Sequence, residues 1–405
     1  MNHSGCREPV KALTTGFNPV FYDLNLQTHT FYVPSQDTNR VWVLDASKCN
    51  ASDTTGCTKF ATDTQVGAAP VGIAANPDTK TVYVANQIDN NVSVIDTSVC
   101  NKQHPNDCNQ TWPAIPVGNA PRSLAINRVT DTIYVPNLGD GTVSVIDGDR
   151  CNGMEVSGCG QTPATTAVGT SPQEVAVDDT TNTIYVVNQD DATVSVIDGT
   201  HCNGMDTSGC NQSWPRVAVG ASPQALAVNP DNHTVYVANT DDNTVSVING
   251  NAVVATIPVG VGPRSIGIVL DKNTLFVGNR SDMTVSVIDG STCNGTNTTG
   301  CGQTPPAILV GAFPKVAGNG NYIVGRSIAV DQNKHTVFVP VIGDSDVAVL
   351  DGNTCTAAHP NDCHVRIVPK RMGGWPVFAT VDASSGTVYV SDNVDGTVSL
   401  FPSSL

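Results

Sequence analysis

The chain has 405 residues, with 36 Gly, 25 Pro and 13 Cys, 5% aromatics, 14% charged residues and a formal net charge of -16. So little charge, against roughly 25% in an average soluble chain, together with so much Gly and Pro argues against a coiled coil, a helical bundle or a basic nucleic-acid arm. The negative balance opposes general binding to a phosphate backbone, and nearly all of the acid is the turn residue Asp, since the only glutamates are Glu8, Glu155 and Glu174.

The chain opens on EPVKALTTG, residues 8–16, which aligns with the fourth strand of a unit that recurs to the C-terminus. Phe17 starts the first inner strand, and from Phe31 a two-part string appears eight times, for example VYVANQIDNNVSVID from Val82 and IYVPNLGDGTVSVID from Ile133. Its aromatic markers are Tyr32, Tyr83, Tyr134, Tyr185, Tyr236, Phe276, Phe338 and Tyr389, spaced by 51, 51, 51, 51, 40, 62 and 51 residues. The two irregular intervals mark a deletion of 11 residues followed by an insertion of 11.

Each string is two alternating apolar runs around an Asp/Asn/Gly turn, which predicts a β-hairpin. A short apolar run precedes it, such as SLAIN at Ser123, and another follows, such as AIPVG at Ala114. Four short strands per unit that cannot bury both faces alone must stack, and radial stacking removes exposed sheet edges. The expected fold is all-β: an eight-bladed β-propeller of four-stranded blades, a single domain over residues 1–405 with about 51 residues per blade. The last unit stops after its third strand at Leu400, so residues 1–16 are expected to supply the missing outer strand of the closing blade.

The YVAN/YVPN and TVSVID strings, with Val-Gly-x-x-Pro before the inner strand, resemble the YVTN (YncE-like) β-propeller repeat over nearly the whole chain. The resemblance implies that the inner strands line a central channel. It also implies that the loop into each inner strand and the hairpin turn share one face, with the cysteine loops on the other. The chain departs from the family in those cysteine loops and in having eight units where seven are usual.

Six cysteine pairs follow C-x7-C: Cys49 and Cys57, Cys100 and Cys108, Cys151 and Cys159, Cys202 and Cys210, Cys293 and Cys301, Cys355 and Cys363. All lie between the third and fourth strands. Zinc and redox motifs use closer spacings, so local disulfides are expected, each stabilising by about 2.6 kcal/mol in the chain-entropy model. They form a stabilising rim in an oxidising compartment, so the protein is expected to be extracellular, at the cell surface or periplasmic, with its signal sequence not present in this chain. Cys6 is left unpaired. Since 405 is three short of eight repeats, the expectation is that the chain is cut from a longer one or starts inside a disulfide loop.

The residue after each Val-Gly-x-x-Pro proline is expected at the channel mouth: Val20, Val71, Arg122, Gln173, Gln224, Arg264, Arg326 and Val377. Arg40, Arg264, Arg280, Lys315, Arg326, Lys370 and Arg371 fall on units six, seven, eight and one and Glu174, Asp190, Asp191, Asp241 and Asp242 on units four and five, so the face is expected to be polarised, with a basic sector. The insertion enlarges the loop AFPKVAGNGNYIVGRS from Ala312, with Tyr322, and the neighbouring loop KRMGGWP from Lys370 adds Trp375. Arg122, Arg264, Arg326, Lys315, Tyr322, Lys370, Arg371 and Trp375 are therefore the expected ligand-binding residues, cations for a carboxylate or phosphate and rings for a platform. The competing reading is an insertion that only covers one end of the channel.

The repeated Asn after the first hairpin strand (Asn86, Asn137, Asn188, Asn239, Asn279) and the turn Asp (Asp89, Asp140, Asp191, Asp242, Asp282) are expected to cap their own turns. No metal-ligand motif, calcium loop, nucleophile elbow or phosphate loop is visible, so no catalytic residue, metal or cofactor is assigned. The expected function is a monomeric binding scaffold for a protein or a small anionic ligand, with no nucleic-acid partner and no membrane span. The alternative is a propeller enzyme of lyase or lactonase type acting on a small anionic or sugar-derived substrate.

Overall fold

The structure is a computed structural model that describes residues 11–16, 18–19, 22–57, 60, 62–311, 323–342, 346–368 and 375–404. Eight antiparallel sheets follow one another along the chain as the blades of a β-propeller. Blade 2 shows the pattern: Pro70–Asn76 innermost, then Thr81–Asn86, Asn91–Asp96 and the outer Ala114–Pro116. Val82 pairs with Ile95 and Tyr83 with Val94, so the hairpin reading gives the observed register.

Each second strand is covered on both faces, which is why it reads as an unbroken apolar run; every residue of Thr81–Asn86, Thr132–Asn137 and Thr234–Asn239 is buried. The outer strand alternates, with Ala114 exposed, Ile115 buried and Pro116 exposed. The layer between blades 1 and 2 joins Val41 and Val43 to Val82, Val84 and Ile95. Each such fully buried aliphatic side chain contributes about 1.5–3 kcal/mol relative to exposure.

Two blades depart from the pattern. In blade 5 the third strand, Thr244–Asn249, turns through Gly250 at φ 56 directly into a seven-residue outer strand, Ala252–Pro258, and the deleted residues are the cysteine loop. In blade 7 the inner strand is in two pieces, Ile323–Val324 and Ala329–Asp331, both paired with Thr336–Ile342. Blade 8 is completed from the other end of the chain: Lys11–Thr14 pairs with Thr397–Pro402, Lys11 opposite Leu400 and Thr14 opposite Thr397. The expected closing strand is therefore present. The strands of blades 1 to 4 fall in one compact unit, and those of blades 5 to 8, with the closing strand and the segment Asn50–Thr58, in another.

All twelve cysteines of the six C-x7-C pairs are disulfide-bonded. Their loops do more than form a rim. The buried tyrosine on the second strand of one blade donates its hydroxyl to the first cysteine carbonyl of the next blade: Tyr32 to Cys100 at 2.7 Å, Tyr83 to Cys151 at 2.8 Å, Tyr134 to Cys202 at 2.7 Å and Tyr236 to Cys293 at 2.8 Å. The glycine two residues on donates its N–H to a threonine of the preceding blade, Gly153 to Thr81 at 2.8 Å and Gly204 to Thr132 at 2.9 Å. A Cβ at Gly153 would lie 2.8 Å from the Lys80 carbonyl oxygen, so glycine lets this loop sit close; blade 1 makes the same bond with alanine, Ala51 N–H to Thr387 at 2.9 Å. The intervening asparagine braces the loop from within, Asn152 Nδ2 donating to the Gly148 carbonyl at 2.6 Å.

Cys6 lies outside the described residues. Among the described residues no helix is long and apolar enough to cross a membrane.

Candidate functional site

The loop into each inner strand is built from the same contacts in blade after blade. In Val-Gly-x-x-Pro the glycine is required because the asparagine ending the second strand packs onto it. A Cβ at Gly67 would lie 2.7 Å from Asn86 Cγ, and one at Gly118 would lie 2.6 Å from Asn137 Cγ. That asparagine spans its own hairpin turn, Asn137 Nδ2 donating to Thr142 Oγ1 at 3.0 Å and Ser144 Oγ at 2.9 Å. The expectation that it caps its own turn holds.

For the turn aspartate the expectation is corrected. Its Oδ2 reaches across to the loop that enters its own blade, accepting the backbone N–H of Ala68 (Asp89), Asn119 (Asp140), Thr170 (Asp191), Ala221 (Asp242) and Val261 (Asp282) at 2.7–2.8 Å. Only Asp282 is also seen serving its own turn, through Thr284. The loop N–H groups lie within hydrogen-bond reach of the carboxylate and would otherwise lack a partner in the turn.

The residue before the proline is left-handed in seven blades: Asn18, Ala69, Ala120, Ser171, Ser222, Gly262 and Trp375, with φ between 51° and 70°. Its carbonyl accepts the N–H just beyond the second strand, as in Gln87 to Ala69 at 2.9 Å and Asn393 to Trp375 at 3.1 Å. The residue after the proline is a β-bulge: pairing skips Val71, Gln173, Gln224, Arg264 and Val377. A bulge releases one side chain from the ladder and re-aims it.

These contacts place the expected ligand-binding residues. Arg264 is the half-buried bulge residue of blade 6. Arg326 in blade 7 is exposed, and its backbone N–H donates to the carbonyl of the blade 8 bulge residue, Val377, at 2.8 Å. Trp375 is 53% exposed at φ 68. Arg122 in blade 3 is half-buried; burial holds its guanidinium below its ordinary value, and the carboxylate of Glu174 in blade 4 opposes that shift. Lys315, Tyr322, Lys370 and Arg371 lie outside the described residues.

The charges expected on this face are partly used internally. Arg40 is ion-paired with Asp63 of its own blade. Asp190 accepts the Ser171 hydroxyl, Asp241 accepts the Ser222 hydroxyl, and Asp191 lies 3.8 Å from Arg216. Their carboxylates hold loops, a role legible in the sequence only as recurrence at fixed spacing. Among the described residues no three His, Cys, Asp or Glu side chains group so as to hold a metal ion.

Three comparisons bear on this geometry. Among solved structures the chain is similar to the C-terminal WD40 domain of Sif2 (TM-score 0.65, 11% identity, 96% of this chain and 97% of that one covered). It is also similar to hydrazine synthase of Kuenenia stuttgartiensis (0.56, 15%, 99% and 98%) and to virginiamycin B lyase from Staphylococcus aureus (0.55, 12%, 82% and 94%). At such identities the likeness is one of fold. No curated protein matches. Residues 2–299, well over half of the chain, match the family described as "Lactonase, 7-bladed beta-propeller". The chain belongs to that lactonase propeller family and carries eight blades where the family description has seven.

Proposed function

We propose that this is an exported, disulfide-stapled propeller of YVTN-type repeats that binds a small anion, a carboxylate or phosphate, on the loop face of blades 6 to 8. Arg264 and Arg326 supply guanidinium groups suited to paired oxygen acceptors, and Trp375 supplies a platform. Lys315, Tyr322, Lys370 and Arg371 belong to the two loops that complete the site in this reading.

Trp375 carries the argument. The same position is Asn, Ala, Ser or Gly in the six other blades where it is described, residues that are small or tolerate a left-handed backbone. Blade 8 instead holds a large ring there, before a proline and exposed to solvent. The left-handed backbone is common to the repeat; what is particular to blade 8 is the large exposed ring carried there. Calorimetric titration with citrate and with phosphate should show binding that weakens at least tenfold in the Arg264→Ala, Arg326→Ala double variant, with a fluorescence change that Trp375→Phe removes. A double variant with undiminished affinity would overturn the reading.

Family membership favours a second reading, an enzyme that opens a small sugar-derived lactone. Ring opening creates a carboxylate, the group the same arginines would hold. Hydrolysis of gluconolactone above the spontaneous rate, lost in the double variant, would select this reading over binding alone.

A further inference from the structure

The cystine loop of blade 7 lacks two contacts that most of the other loops make. In blades 2, 3, 4 and 6 the residue after the first cysteine is an asparagine whose Nδ2 bonds a carbonyl four residues back, as in Asn101, Asn152, Asn203 and Asn294 at 2.6–2.8 Å. In blade 7 this position is Thr356, whose hydroxyl instead meets His359 Nδ1 at 3.4 Å. The tyrosine clasp is missing as well. The preceding blade presents Phe276, which packs in the same core cluster as Cys355 but has no hydroxyl to give its carbonyl.

Access differs too. The described sulfur-bearing residues of the other pairs are buried at 5% exposure or less, whereas Cys363 is only partly buried. Beside it, His364 and Arg366 line a groove of about 210 Å³ together with Lys334 and Asp351. On the other flank of the same loop, Ala357 and Ala358 line a second cavity of about 290 Å³. Lys334 is engaged with Ser403 at 2.8 Å and lies 3.9 Å from Asp331. Among the described residues the side chains of His364 and Arg366 have no hydrogen-bond or ion-pair partner, so they face the groove as uncommitted groups. Nearby cations favour thiolate and draw an anionic attacker.

We propose that Cys355–Cys363 is the redox-labile disulfide of this protein, the one through which a small thiol exchanges. A thiolate approaching the partly buried Cys363 beside His364 attacks its Sγ; the Cys355–Cys363 bond breaks, a mixed disulfide forms at Cys363, and Cys355 leaves as thiolate. A second thiol of the same class attacks the mixed disulfide, leaving two cysteine thiols and one oxidised small-molecule disulfide, a two-electron exchange. The pairs of blades 2, 3, 4 and 6 are withheld from it by burial, by the asparagine brace and by the tyrosine clasp, and that of blade 1 by burial.

The experiment is graded reduction of the intact native protein with glutathione, trapping with iodoacetamide and peptide mapping. Cys355 and Cys363 should be labelled at least tenfold faster than any other pair. Two variants test the cause: Phe276→Tyr, which installs the hydroxyl that four other blades already accommodate, and His364→Ala with Arg366→Ala, which removes the groove's uncommitted imidazole and guanidinium groups. Each should slow labelling of this pair about threefold or more while leaving the other pairs unchanged. Equal rates for all pairs, another pair reacting first, or unaltered rates in both variants would overturn the proposal.

Discussion

Asp131 shows how the repeat exposes a single misfit residue. It is left-handed at φ 44, and its Oδ1 accepts from Asn76 Nδ2 of the neighbouring blade. The matching residues Asn182 and Asn273 accept from Asn127 and Asn229 in the same way, without a charge. Burial, with the nearby carboxylate of Asp149 adding to it, pushes the Asp131 carboxyl up to about 6. The native state therefore holds this proton where the unfolded chain has lost it, and stability falls as pH rises from about 4 through 6. Asp131→Asn should remove that fall and stabilise the protein at pH 7 by about 1–2 kcal/mol. Urea unfolding of both proteins at pH 4 and pH 7 checks this; an equal pH slope in the two would contradict it.

The element that organises the blades is the cystine loop. Its existence and spacing were legible as C-x7-C, but its target was not: nothing within one 51-residue unit says that the Cys151 carbonyl waits for Tyr83 of the preceding unit. The signal was indirect, in the shared recurrence of Tyr on the second strand and Cys-Asn-Gly after the third. The same holds for Asp140 and Asn119, whose bond joins positions 21 residues apart, too far for a turn rule. Tyr83→Phe should destabilise by about 1 kcal/mol, because it leaves the buried Cys151 carbonyl without its donor. Hydrogen exchange should then rise in the Cys151–Cys159 loop and the Thr81–Asn86 strand, and an effect confined to the strand would count against the clasp.

At the scale of the molecule, the eight units, the hairpin registers and the all-β class followed from period and alternation alone, since a strand with period two and a turn of Asp, Asn or Gly leaves few choices. The site was less legible. The chain marked Arg264, Arg326 and Trp375 by position, but the bulge after the proline and the left-handed residue before it are backbone features that residue types do not announce. Only a comparison of the seven loops shows Trp375 to be out of place. The two departures of length have different outcomes: the deletion removes one clasp in blade 5, and the insertion precedes the divided inner strand of blade 7.

Completion of blade 8 by Lys11–Thr14 ties the first described strand to the last, and it buries Leu13 to 3% exposure against the third strand. Without it Thr397–Pro402 becomes an unpaired edge, and the blade loses a ladder as well as an apolar side chain worth about 1.5–3 kcal/mol. The direct measurement is differential scanning calorimetry of the full chain beside one lacking residues 1–16. Closure predicts a single sharp transition for the first and a lower, broadened one for the second; an unchanged midpoint and width would contradict it.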